Sequence, residues 1–312
     1  NDISTYQTDK YWIAEGSKGL RSIQRKGSNS FEALNEPIIL DGPYSNSAFD
    51  IVCKNDKVYM IIGGKDLLNG KRFDKGGYIL TYDYDKWSFI DPKEAQKKLN
   101  LPRNPRDYTS IAVTTDDSND EIVYASSMGD GVIQYKNGTP VQSYNEKNAF
   151  KETAGGYGSG YCYIDGLAFD KNGNLWMTSS EVNHAVLVLD KAGAWHRLDI
   201  EQLRGVYTIN DILITSTNDK WIYVPRNTPK LVMIPNSESL DEVSSYEFTT
   251  LIDTDGKELT PSNYTCVAED KDGYIWVGTN RGAVYFTKPR ISSAEDKAAT
   301  RCTRVKYTNE ET

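Results

Sequence analysis

Apolar residues along the chain come in short runs that alternate with polar ones and are broken by Gly, Asn and Asp. That period of two predicts half-buried strands rather than helices. The clearest series is Gly166-Leu167-Ala168-Phe169, then Leu175-Trp176-Met177, then Ala185-Val186-Leu187-Val188-Leu189, with Asp170-Lys171-Asn172-Gly173 before the second run. The same order recurs at Val267-Ala268-Glu269, Tyr274-Ile275-Trp276-Val277 and Gly282-Ala283-Val284-Tyr285-Phe286, with Asp270-Lys271-Asp272-Gly273 as the turn. Asn172-Gly173 and Asp272-Gly273 supply the positive-φ residues that a hairpin turn needs. Weaker copies align Trp12, Tyr59, Val123 and Trp221 with Trp176 and Trp276, at spacings of 45 to 64 residues. A fourth, outer strand is expected near 87–90, 141–144, 195–198, 246–249 and 303–306.

Four strands in about 50 residues make one propeller blade, and self-similarity at that period marks a repeat architecture. A blade cannot bury both its faces alone, so the large residue of each second strand is expected between neighbouring blades. The one convincing helix signal covers 92–99. The expected fold is all-β, a β-propeller with six visible four-stranded blades, residues 1–312 forming a single domain. The first strand of the first unit, near Asp2 to Tyr6, carries the poorest pattern, so rings of six and of seven blades both fit. The chain begins at Asn1 rather than Met, which reads as a processed or trimmed product of a longer one.

Composition narrows the function classes. The 36 basic and 44 acidic side chains leave a formal charge of −8, and no Lys/Arg block offers the footprint that phosphate backbones require. Nucleic acid is therefore not an expected partner. No apolar run approaches the roughly 18 residues of a membrane helix, so no membrane insertion is expected. There are two histidines and four cysteines, none in a zinc-ligand spacing. Cys53, Cys162 and Cys266 fall in or beside apolar runs, where a free thiol is expected to be a small buried hydrophobe. The turns from Asp170 and Asp270 lack the further acidic ligands of a calcium loop, and hairpin geometry accounts for them. His184 and His196 stand beside no recognisable nucleophile motif, and no phosphate or dinucleotide fingerprint occurs. No catalytic residue, metal or cofactor is expected.

The run from Glu269 through Gly282 resembles the two-component-regulator propeller repeat of the Bacteroidetes. Looser likeness extends to Tyr11-Trp12-Ile13-Ala14, to Gly42 through Phe49 and to Asp165 through Trp195, which are similar to PorZ-type proteins. That repeat fills periplasmic sensors of hybrid two-component systems, which recognise oligosaccharides, and surface proteins associated with the type IX secretion system. The resemblance implies an exported protein, in the periplasm or at the outer surface of a Gram-negative bacterium. Its implied partner is a glycan or cell-surface polysaccharide, or a secretion-system or sensor protein.

Propeller topology places the loops that lead into inner strands, and those joining second to third strands, on one face. The longest leads from Asn145 to Tyr161 and holds Ala154-Gly155-Gly156-Tyr157-Gly158-Ser159-Gly160. Its glycines and tyrosines match the composition of adaptable recognition loops, and also that of a plain flexible connector. The candidate ligand-binding set on this face is Tyr44, Arg106, Tyr108, Tyr157, Tyr161, Tyr163, Asp165, Asn210, Asp211 and Arg226, with Asn46, Arg103 and Asn263 beside it. Tyrosine suits sugar faces, and Arg, Asn and Asp suit hydroxyls or carboxylates. Taken singly, each of these residues is also common as a solvated or backbone-capping group. The leading functional expectation is a non-enzymatic recognition module. Its alternatives are a structural scaffold in an outer-membrane secretion assembly and a propeller lyase or lactonase, which would need a metal or a His base on the axis.

Overall fold

The computed structural model describes residues 2–14, 20–36, 38, 42–67, 69–150 and 161–305. The first sheet comprises β1 (Asp2–Gln7), β2 (Lys10–Ala14), β3 (Leu20–Arg25) and β4 (Phe31–Ala33). The second holds β5 (Ala48–Lys54), β6 (Lys57–Ile62), β7 (Ile79–Asp83) and β8 (Lys86–Ile90). The third holds β9 (Tyr108–Thr115), β10 (Glu121–Gly129), β11 (Gly131–Lys136) and β12 (Thr139–Tyr144). In the fourth are β13 (Cys162–Phe169), β14 (Leu175–Ser179), β15 (Val186–Leu189) and β16 (Trp195–Leu198). The fifth is β17 (Ile212–Ile214), β18 (Lys220–Val224), β19 (Lys230–Ile234) and β20 (Tyr246–Phe248). A small hairpin, β21 (Leu251–Ile252) and β22 (Glu258–Leu259), precedes the sixth: β23 (Tyr264–Glu269), β24 (Ile275–Thr279), β25 (Gly282–Phe286) and β26 (Cys302–Arg304).

Within each sheet the strands are antiparallel and lie in chain order. The first strands β5, β9, β13, β17 and β23 are spatial neighbours in succession, as in a propeller. All six aligned positions fall on second strands, and the expected outer strands are β8, β12, β16, β20 and β26.

The core consists of apolar layers between consecutive sheets. Tyr59 and Ile61 of the second sheet meet Tyr108 and Ile111 of the third. Ile122 and Tyr124 of the third meet Leu167, Leu175 and Met177 of the fourth. Trp176 packs with Ile212 and Ile222, and Trp221 with Ile275, Val277 and Phe286. Tyr59, Trp176 and Trp221 thus fill inter-sheet space as anticipated. Val123 also lies between sheets but faces the other way: it points back among Tyr59 and Ile61 of the second sheet, and its neighbours Ile122 and Tyr124 face forward to the fourth. A one-residue slip in a strand alignment exchanges the two faces, which is the error made by matching Val123 to Trp176.

The repeat motif has a physical cause visible in its hydrogen bonds. Asp170 Oδ1 accepts the backbone N–H groups of Asn172 (2.9 Å) and Asn174 (2.8 Å), and Oδ2 accepts Trp176 Nε1–H at 2.9 Å. Asp270 does the same with Asp272, Tyr274 and, at 2.7 Å, Trp276 Nε1. One carboxylate closes the turn and fixes the indole of the adjacent second strand. These bonds hold the Asp270 carboxyl below the usual carboxylate range, the Trp276 bond contributing most. Asp190 repeats the pattern, accepting Ala194 N at 2.8 Å and facing His196 Nε2 at 2.9 Å.

Helix α1 (Pro92–Leu99) forms where expected; the Asp91 carboxylate caps it by accepting Lys93 N at 2.9 Å. A second helix, α2 (Ala294–Ala299), was not anticipated, although Ser293, whose Oγ accepts Asp296 N at 3.1 Å, offers a capping signal. The four cysteines are free thiols; Cys162 and Cys302 are buried, but Cys53 and Cys266 are exposed, contrary to expectation. Val52 and Val267 occupy the core-facing pleat positions beside them, and alternation turns Cys53 and Cys266 the other way. Among the described residues no helix is long and apolar enough to cross a membrane.

Candidate binding cleft on the loop face

The third and fourth sheets are stitched together on one face. Strand β10 outruns its own sheet, so that Met128 pairs with Tyr163 and Gly129 with Cys162 of β13. This brings Tyr161, just ahead of β13, beside Gly129 at the turn before Asp130 and beside Arg72 of the loop that follows β6.

That second loop starts with Gly63 and Gly64, at φ 139° and 93°. A side chain at Gly63 would strike the Tyr108 backbone, and one at Gly64 the Phe49 ring, so the tight path requires both glycines. The turn delivers Lys65 into the interior, where only 2% of it is exposed. Its ammonium pairs with the Asp165 carboxylate and donates to Ile209 O at 2.8 Å. Asp165 also accepts Ser180 Oγ–H at 2.6 Å, and Ser180 Oγ in turn accepts Ile209 N–H at 2.8 Å. Burial pushes the Asp165 carboxyl above its ordinary range, and Lys65 opposes that shift. A closed network of this kind fixes the loops above it, because a buried charge without its partner is costly.

Above it lies a cleft of about 510 Å³ lined by Arg72, Asp74, Tyr161, Tyr163, Glu181 and Tyr207 among others. A second cleft of about 410 Å³, lined by Leu101, Arg103, Asp130, Asn145 and Lys147, shares Tyr161 with it. The Arg103 guanidinium lies 5.2 Å from the Tyr161 ring centroid and that of Arg72 lies 6.0 Å away. Hydrogen bonding from Arg103 holds the Tyr161 phenol below the usual tyrosine range. Arg103 is anchored by Asp130 Oδ1 at 2.7 Å, and Arg72 by Asp74 Oδ1 at 3.1 Å. Glu181 sits at φ 62°, a left-handed conformation that costs a non-glycine residue energy. Burial, followed by the charge of Asp165, raises its carboxyl pKa. The arrangement offers stacking surfaces, fixed cationic donors and carboxylate acceptors, which is chemistry for holding a polar ligand.

The sequence-derived candidates divide sharply. Tyr161, half-buried, lines both clefts, and Tyr163, only 4% exposed, contributes a mostly buried ring to the wall of the first. Arg106 stands at its margin: its backbone N–H donates to Asp130 Oδ2 at 3.1 Å and its guanidinium is 3.8 Å from Asp74. Tyr108 is fully buried, its hydroxyl 2.6 Å from that of Tyr135, so it is a core residue and presents nothing to a ligand. Asp165 is likewise internal, paired with Lys65. Asn210 is buried, with its backbone N–H donating to Tyr223 O at 3.1 Å. Asp211, just ahead of β17, is exposed and lines neither cleft; desolvation by the surrounding strands, then the charge of Asp50, pushes its carboxyl up to about 7. Tyr44 is apart from the cleft, its ring stacked on Tyr78 at 4.6 Å and tilted against Phe89 of β8 at 4.7 Å. Arg226, exposed after β18, lines neither cleft. Tyr157, with the glycine-rich stretch 151–160, lies outside the described residues.

Sequence reasoning missed Lys65, Arg72, Asp74, Glu181 and Tyr207. The Gly63-Gly64 pair ahead of Lys65 was a usable signal, since consecutive glycines after a strand announce a close backbone approach. Nothing local distinguishes the others.

Comparison with known proteins agrees with this architecture. The two-component-regulator propeller model matches residues 258–281, the segment that contains the Asp270-to-Trp276 turn. Among solved structures, the chain is similar to PorZ of Porphyromonas gingivalis, a surface component of the type IX secretion system, with 19% identity and a TM-score of 0.72 over 97% of this chain. It is also similar to the extracellular domain of a hybrid two-component system from B. thetaiotaomicron, with 15% identity and a TM-score of 0.52 over 99% of this chain. The chain spans 40% of the first of those proteins and 36% of the second. No curated protein sequence matches it. The repeat, the sheet order and these likenesses together identify the fold as a β-propeller similar to that of PorZ, with a two-component-regulator propeller repeat matched at residues 258–281.

Proposed function

We propose that this propeller is a non-enzymatic, exported recognition module that binds a glycan on its loop face, with the cleft around Tyr161 as the site. The carrying observation is the pair of aspartate-anchored arginines laid against one tyrosine ring, with Tyr163, Glu181 and Tyr207 alongside. Aromatic faces stack on the apolar faces of sugar rings, and Arg with carboxylates takes up their hydroxyls. Tyr207, with 51% of its surface exposed, presents ring area to solvent at the cleft. Fold alone says nothing about a ligand. Support for export to the periplasm or outer surface comes from the fold shared with a bacterial surface component and with an extracellular sensor domain.

The test is a glycan array of bacterial-surface and dietary glycans, followed by calorimetric titration of hits. Tyr207→Ala and Arg72→Ala should each weaken binding by about tenfold, or roughly 1.4 kcal/mol. Tyr44→Ala, remote from the cleft, should leave it unchanged. No binding to any glycan, or binding indifferent to both cleft substitutions, would remove the reading.

A further inference from the structure

Tyr161 belongs to both clefts. On one side stands Arg72, held by Asp74; on the other stands Arg103, held by Asp130. The two aspartates sit on different loops, one after β6 and one between β10 and β11. Tyr161 thus has one tethered guanidinium in each cleft, at 6.0 and 5.2 Å from its ring centroid, which holds the ring in place between the two compartments.

The two compartments repeat the same chemistry. The first adds Lys71 and Glu181 to its arginine, and the second adds Lys147 and Glu146. Each therefore presents both donors and acceptors for hydroxyl groups. We propose that the two clefts are halves of one groove, and that Tyr161 is the specificity-determining divider that makes the groove select glycans by length. This rests on the glycan reading above. A single sugar unit fills one compartment. A chain that crosses Tyr161 stacks its bridging unit on the ring and gains the second compartment as an intramolecular event, at high effective concentration.

The experiment uses the whole chain and a length-graded set of glucan, mannan and galacturonan oligomers of one, two, four and six units, titrated calorimetrically. Affinity should climb by about tenfold or more from one unit to four, the gain expected from a second contact region. Tyr161→Ala should weaken the four-unit ligand at least about tenfold more than it weakens the one-unit ligand. Tyr161→Phe, which keeps the ring, should preserve the length dependence. A flat length profile in the native chain overturns the proposal and leaves the glycan reading standing. So does Tyr161→Ala weakening every length equally. Absence of binding at every length overturns both together.

Discussion

Replacing Lys65 by Met tests whether the buried network organises the loop face. Met keeps the length of the side chain and removes its charge, leaving the Asp165 carboxylate with Ser180 Oγ–H as its remaining side-chain donor. Lys65 and Asp165 are 2% and 4% exposed, so solvent cannot compensate. Breaking such a pair from one side costs about 3–5 kcal/mol. With about 2.1 cal/mol/K of unfolding entropy per residue, 312 residues give roughly 0.66 kcal/mol/K. The melting temperature should therefore fall by about 5–8 °C for one-step unfolding. The deficit has a pH signature. The folded-state pKa of Asp165 is already raised, and losing Lys65 raises it further. The folded chain then holds a proton that the unfolded chain has released, so stability declines as pH rises between the two values. Melts by circular dichroism should show a larger deficit at pH 8 than at pH 5. Adding Asp165→Asn should recover most of the loss. A single variant within about 0.5 kcal/mol of the native chain, or a double variant worse than the sum of the singles, would refute the reasoning.

Trp176→Phe keeps most of the buried ring but removes the Nε1–H that Asp170 accepts, and should cost about 1.5–3 kcal/mol by denaturant titration, the range for a bond to a charged group. Asp211→Asn should stabilise the chain at pH 8 and do little at pH 4: a carboxyl that titrates near 7 when folded loses stability as pH rises from its unfolded value through 7. Gly64→Ala should destabilise by at least about 1–3 kcal/mol, since φ 93° and the Phe49 ring both exclude a side chain. Under native conditions, mass spectrometry should find Cys53 and Cys266 alkylated quickly. Cys162, buried and with its thiol pushed up to about 12, and Cys302 should react only on unfolding.

A minor part of the candidate site was legible, for a topological reason. Once the second strands were anchored on Trp176 and Trp276, loop positions followed, and Tyr161 and Tyr163 fell into the cleft. The same reasoning misplaced Tyr108, because strand alternation sends it into the layer beside Tyr59 and only packing reveals which face is covered. It misjudged Asp165 because a lone Asp looks like a ligand residue until its partner, Lys65, arrives from 100 residues away. Tyr207 and Arg72 carry no local mark; they matter by meeting Tyr161 across the loop face.

By itself the sequence determined the architecture: the turn from Asp170 to Trp176 is a local structure whose hydrogen bonds lie within six residues, and repeating it specifies blades. Tertiary structure alone decided the site. Arg72 and Arg103 flank one ring because three loops from three sheets converge there, and the spatial meeting of distant residues depends on packing that no short-range periodicity encodes.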